Sequence, residues 1–568
     1  FNTGKLSADA YAGAAGLLIG GSGAYADVIF DGTTKAAVNN ANAVLTEDAL
    51  IFAKANGSAS ASGQGLSIGS LAVGGVVVKL SNTFKVLAQL VNSTLNRARN
   101  ISVLADYTGN LTGTAKGVAG GLLAAGTAQS VSLTENVTTT ASVTNSTVVA
   151  SGTFSTVAQD THRIRGTATG YSASGFAAGG LTKINTSLTN TTTAEITGSQ
   201  VIANTILLHA TTVINKDTKA TASAGALGGS ANDVSDNTTV TNKTYAVVGR
   251  GSRLVAVDSV SISAETNNQY KGYATAIAGA IVAKGVATAS QKVTDDVRVQ
   301  IYPCVITANT GDVDIIAYAK DITSNLTAYG GAGGLAAGTN VKAEAVTDAA
   351  AKVEFLSGTS ADHAVIRAES MDLFVEAKTN TEANVYARIK FTVDGLSNIA
   401  TLATNKMTIN ALVDLGQYAQ LKAGKDLTIQ AWIERIHAFA EAYSETGSVI
   451  NTQSKPTATV DVTGTAKITG NHSNLQAGSK LTMLALTGDG TKDSIYTRAY
   501  SYGYTAGGTG SVISTATNNT KLYGYIQMYG DDSEMRARDI WVKASAKSES
   551  ETSYSKEAQY KAVTVTEF

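Results

Sequence analysis

The chain has 568 residues with a formal net charge of −1, 15% charged and 6% aromatic residues, two prolines and one cysteine. Such a balance leaves no electrostatic footprint for nucleic acid, a single cysteine excludes an intramolecular disulfide, and no apolar run reaches the roughly 18 residues of a membrane span. Proline has no N–H to give to a β-ladder, so its near absence points to long uninterrupted strands, and regularly placed Val, Ile and Leu argue against disorder.

In chain order, residues 10–19 have the texture of a signal-peptide core, but the same Ala/Gly/Leu texture returns at 118–125 and 332–337, so the stretch belongs to a repeat. With Phe1 in place of an initiator Met, the chain is expected to be a mature form or a segment, with targeting signals outside it. The repeat is plainest at Leu421-Lys422-Ala423 followed by Leu427-Thr428-Ile429-Gln430-Ala431, and again at Leu475-Gln476-Ala477 followed by Leu481-Thr482-Met483-Leu484-Ala485. The closing alanine recurs at Ala53, Ala105, Ala158, Ala210, Ala264, Ala317, Ala377, Ala431, Ala485 and Ala544, with Ala8 expected as a first copy. After each copy in the first two-thirds comes a small-residue patch: Gly20-Gly21, Gly74-Gly75, Gly120-Gly121, Gly179-Gly180, Gly228-Gly229, Gly279 and Gly333-Gly334.

These segments alternate apolar and polar residues, as a strand with one buried face does, and lack the i, i+3, i+4, i+7 spacing of a helix. A unit of this kind buries its apolar face only by stacking on its neighbours. The expected fold is therefore all-β: a parallel β-helix (β-solenoid) of about eleven degenerate ~53-residue repeats, with one coil of about four strand-like runs per repeat. It is read as a single continuous solenoid over 1–568, with Ala/Gly/Thr-rich repeats in 1–369 and more charged, Tyr-rich repeats in 370–568. Ile262, Ile315, Phe374, Ile429 and Met483 are expected at equivalent inward positions in successive coils.

The apolar-x-Ala, apolar-x-apolar-x-Ala motif resembles the short repeat of filamentous-haemagglutinin-type adhesins. The longer unit with its Ala/Gly patch is similar to the large repetitive leukotoxin-like surface proteins of bacteria. The resemblance extends over essentially the whole chain. It implies a secreted, surface-displayed β-helix involved in adhesion or in building extracellular fibres.

No catalytic, cofactor or metal site is expected. The five histidines are scattered without ligand spacing, and calcium-binding Gly-Gly-x-Gly-x-Asp repeats are missing; Asp489–Asp493 and Asp531-Asp532 read as solvated acidic turns. A β-helix polysaccharide enzyme needs carboxylates clustered over adjacent coils, and only Asp295-Asp296 and Asp348 align approximately. Cys304 reads as a small buried residue. The Asn-x-Ser/Thr sites, among them Asn92 and Asn145, are mostly what a Ser/Thr-rich composition produces. Tyr500, Tyr502, Tyr504, Tyr523 and Tyr525 form a candidate contact surface for a partner subunit or glycan.

The expected function is a structural subunit of an extracellular filament or fimbria-like surface appendage, not an enzyme, with copies of itself as partners. Open solenoid edges invite another strand: the alternating C-terminal run with Val563 and Val565, ending on Phe568, is the expected donor, and the strand around Leu6 the recipient. The alternatives are the stalk or binding region of a secreted adhesin, with host or matrix glycans as partners, and, behind it, a polysaccharide-active enzyme.

Overall fold

The computed structural model describes residues 2–488, 494–530, 533–546, 549–550 and 554–561. Among them there is no helix, and every strand pairing is parallel. One coil consists of a long first arm, a reversal, a long second arm running back, and a short third strand. Thr205–Gly225, Gly229–Val248 and Arg253–Ala256 make one such coil; Val260–Gly279, Val282–Ile301 and Val305–Ala308 make the next. Each residue stacks on its counterpart one repeat away, His209 on Ser263 and Val234 on Ala287. One repeat is therefore one coil. The four runs expected per coil resolve into three strands, and at Ala49–Val91, Ile101–Thr144 and Val313–Phe355 both arms belong to one unbroken strand. The short strands form a separate ten-stranded sheet along one edge.

The motif alanines stack one on the next without a slip, Ala53 on Ala105 through to Ala485 on Ala544. Two residues earlier runs a column that is apolar except at Thr156, in which Ile262, Ile315, Ile429 and Met483 are fully buried. Phe374 is not in this column: Val375 pairs with Ile315 and Ile429, and Phe374 points outward, half-buried. Both residues are apolar, so parity counted back from Ala377 decides the matter. Ala8 is not a motif copy either. It stacks on Ala61, eight residues past the motif alanine of that coil.

The arms lie close enough to demand small residues. A Cβ on Gly113 of a first arm would stand 2.8 Å from the Leu133 and Val131 side chains of the second arm. The glycine pairs flank the reversal and do not share one register: Gly179-Gly180 stacks on Gly126-Thr127, while Gly228 ends the turn itself.

In the first four coils the corner after the second arm holds a left-handed residue, with Asn40, Asn92, Asn145 and Gly198 at φ between 49° and 60°. Asparagine tolerates this conformation better than other non-glycine residues. This corner accounts for Asn92-Ser93-Thr94 and Asn145-Ser146-Thr147 as turn chemistry: the serine hydroxyls accept the backbone N–H of the preceding coil, Ser93 to Ser146 at 3.1 Å and Ser146 to Ser199 at 3.0 Å.

Candidate functional site

The outer face of the first arm carries aromatic and charged groups in the later coils. Tyr500, Tyr502 and Tyr504 lie there on Ile495–Val512, on alternate outward positions. Tyr502 stacks on Tyr443 of the preceding coil, centroids 5.0 Å apart, and the Arg498 guanidinium sits 5.6 Å from the Tyr500 ring. Tyr523 and Tyr525 lie on the outer face of the second arm, Thr515–Tyr529. Because the two arms are opposite walls of the coil, these five tyrosines form two patches and not one surface. On the first-arm face, two coils before Tyr502, Lys378 Nζ sits 4.3 Å from the Trp432 ring and 5.0 Å from the Tyr318 ring, and 3.0 Å from the Glu434 carboxylate. Arg388 meets Glu441 through two hydrogen bonds of 2.6 and 3.0 Å.

The subunit-contact residues are only partly placed. Leu6 lies on Asn2–Ala15, stacks on Ala59 and is 40% exposed. Val563, Val565 and Phe568 lie outside the described residues, as do Asp489–Asp493 and Asp531-Asp532. Asp348 stacks on Thr294, so it does not align with the inward Asp295. Among the described residues, no group of three or more His, Cys, Asp or Glu is arranged to hold a metal, and no helix is long and apolar enough to cross a membrane. Cys304 is buried and burial pushes its thiol up to about 12. It precedes Val305, which stacks on Arg253, and so continues the corner column of Ser93, Ser146, Ser199 and Ser252.

The most concentrated chemistry is inside. On the inward side of the first arm Tyr107, Asp160, Thr212 and Thr266 stack in successive coils; on the second arm Asn190, Asn242 and Asp295 do the same. Asn82 Nδ2 donates to Tyr107 Oη at 2.6 Å and to Glu135 at 2.9 Å, and Tyr107 Oη donates to Glu135 at 2.8 Å. His162 Nδ1 is 3.2 Å from the other Glu135 oxygen. Thr192 donates to Asp160 at 2.5 Å and shares a hydrogen bond with Thr212, which accepts from Thr244. Asn190 donates to Asn242 at 3.0 Å, and Asp295 accepts from Asn242, Asn268 and Tyr270.

Burial dominates the electrostatics of this chain of groups. It pushes Asp160 and Asp295 up to about 6 against the hydrogen bonds they accept. Burial is the largest influence on His162 and opposes its charge, but Glu135, Asp160 and Asn190 together outweigh it and raise the imidazole. Burial lowers Lys216 and raises Asp236, whose Nζ and carboxyl oxygen face each other at 4.0 Å. Glu135 and His162 have no exposed side-chain surface, so this arrangement sets register and stability and does not meet a substrate. Its sequence signal was available: Asp160 and His162 lie two and four residues past Ala158, at the same inward parity.

The chain matches no family model, no curated protein and no solved structure.

Proposed function

We propose that this protein is a structural rod, an element of an extracellular filament or surface appendage of the kind built by filamentous-haemagglutinin-like proteins. The observation that carries this reading is the run of motif alanines, stacked without a slip from Ala53 to Ala544. A continuous parallel ladder transmits load along its axis through backbone hydrogen bonds, and about eleven coils at ~4.8 Å make a rod of roughly 50 Å. The sequence resemblance to surface adhesins supports the extracellular setting. Copies then continue one another's ladders end to end, since Asn2–Ala15 already pairs in parallel along one edge with Ala49–Val91.

Negative-stain electron microscopy of the native material is the test. Filaments with an axial repeat near 50 Å support the reading; isolated rods that never join, from material prepared without denaturant, count against it. A truncation ending at Tyr560 then tests the strand donor: polymers with an unchanged repeat exclude strand addition by the C-terminal run.

A further inference from the structure

The reversal between the arms consists mostly of glycine and alanine, yet it holds its largest side chains outward. Leu18, Leu123, Phe176, Leu227, Ile281 and Leu335 occupy it in coils along the solenoid, each between 51% and 76% exposed. The coil after the first contributes Leu71 at 42%. The ladder puts Leu18, Leu123, Phe176, Ile281 and Leu335 at one turn position and Leu71 and Leu227 one residue to either side of it: Leu71 pairs with Ile19 and Ala124, Ile281 N–H donates to Leu227 O at 3.2 Å, and Ala336 N–H donates to Ile281 O at 2.9 Å. The result is an apolar ridge with about one knob per ~4.8 Å step. No charged residue falls between Lys219 and Asp233, or between Lys271 and Lys284, the segments that bracket Leu227 and Ile281.

On the outer faces of the arms in these coils most outward residues are Thr, Ser, Asn or charged. The ridge and its immediate neighbours expose on the order of 1,000 Å² of apolar surface, more than the few hundred Å² that monomers usually leave in one patch. That area is comparable to the ~800 Å² each partner gives to a stable protein interface.

We propose that this ridge is a self-association surface on which a second copy of the chain packs side by side, ridge against ridge. The argument is one of matched spacing. Knobs repeated at the coil step over seven coils fit between knobs only where a partner repeats at the same step, and another copy does so along its whole length. The alanine and glycine flanks let the two backbones approach, and an isologous pairing about a two-fold axis closes on itself. A lipid surface fits less well, because membrane-docking ridges are flanked by Lys and Arg, which these reversals lack. The inference rests on the ridge alone and stands whether or not rods join end to end.

The test uses the full chain and the triple variant L123D/F176D/L227D. The three positions are exposed, so circular dichroism and the melting temperature are expected to match wild type. In sedimentation velocity the wild type is expected to associate and the variant to be weakened by roughly a hundredfold or more, about 3 kcal/mol. In micrographs wild-type particles are expected to be twice as wide as the variant's, at equal length. A wild type of single width that sediments as a monomer overturns the proposal, as does a variant that pairs like wild type. Wild-type flotation with phosphatidylcholine vesicles, lost in the variant, assigns the ridge to lipid and equally overturns it. If the aspartates disturb the spectrum, L123S/F176S/L227S carries the same readouts. End-to-end filaments of single width formed by the variant leave the proposed function intact, so failures of the two readings are distinguishable.

Discussion

Asn242 donates its side-chain N–H to Asp295 across 3.0 Å in the sealed interior, one coil on along the second arm. The carboxylate also accepts from Asn268 and Tyr270 of the facing first arm, so one ionisable group ties both walls together.

That tie makes stability pH-dependent in an unusual direction. Asp160 and Asp295 are pushed up to about 6 by burial, from an ordinary value near 4. Folded chains then hold protons that unfolded chains release between those values, so stability rises as pH falls from about 6 toward 4, by on the order of 2 kcal/mol per group. His162 acts in the same sense: its raised imidazole stabilises the fold at low pH, and that contribution fades as pH rises through its folded value. Asp48, held at about 2 by its hydrogen bonds with Arg99, opposes this only below about pH 4. Thermal melts are expected to give a higher Tm at pH 5 than at pH 7.5; the reverse slope refutes the interior assignment.

Asp295→Asn is expected to flatten this dependence. The amide keeps an oxygen for Asn242 and Asn268 and removes a buried negative charge, so stability at pH 7 should rise by about 1 to 3 kcal/mol. Parallel melts at pH 5 and pH 7.5 check it. An unchanged difference between the two pH values would mean that Asp295 does not titrate in this range.

Ile429→Asp places an unpaired carboxylate in the fully buried column between Val375 and Met483. The expected cost is several kcal/mol, read as local protease sensitivity near residue 429. Ile429→Val should cost only about 1 kcal/mol. Equal resistance of the aspartate variant and wild type would show that the register is wrong.

Asn145 holds φ at 49° in the corner column that Gly198 also occupies. Asn145→Gly should be nearly neutral and Asn145→Ala should cost about 1 kcal/mol, because a Cβ without a compensating polar group is disfavoured there. Denaturant midpoints of the two variants give the comparison.

Cys304→Ser should change stability by less than about 1 kcal/mol, since serine holds this corner in four earlier coils. The native thiol, with its pKa near 12, should react with a disulfide reagent only after unfolding. Rapid labelling of folded protein would contradict its burial.

The sequence by itself determined the stack. Most coils select the same apolar-x-apolar-x-Ala run because the same wall position recurs once per repeat, so the alanine register from Ala53 to Ala544 was legible in the sequence. Parity was legible by counting back from the motif alanine even where two neighbours are both apolar: Val375, two residues before Ala377, is inside, and Phe374 is outside. The interior polar chain needed the tertiary structure because its partners come from opposite arms: Asp160 and Thr192 are 32 residues apart and meet only when the second arm folds back over the first. The outward leucines of the reversals were likewise read as part of a small-residue patch. Only the turn geometry, with each tip hydrogen-bonded to its neighbours, aims them at solvent along one edge of the solenoid.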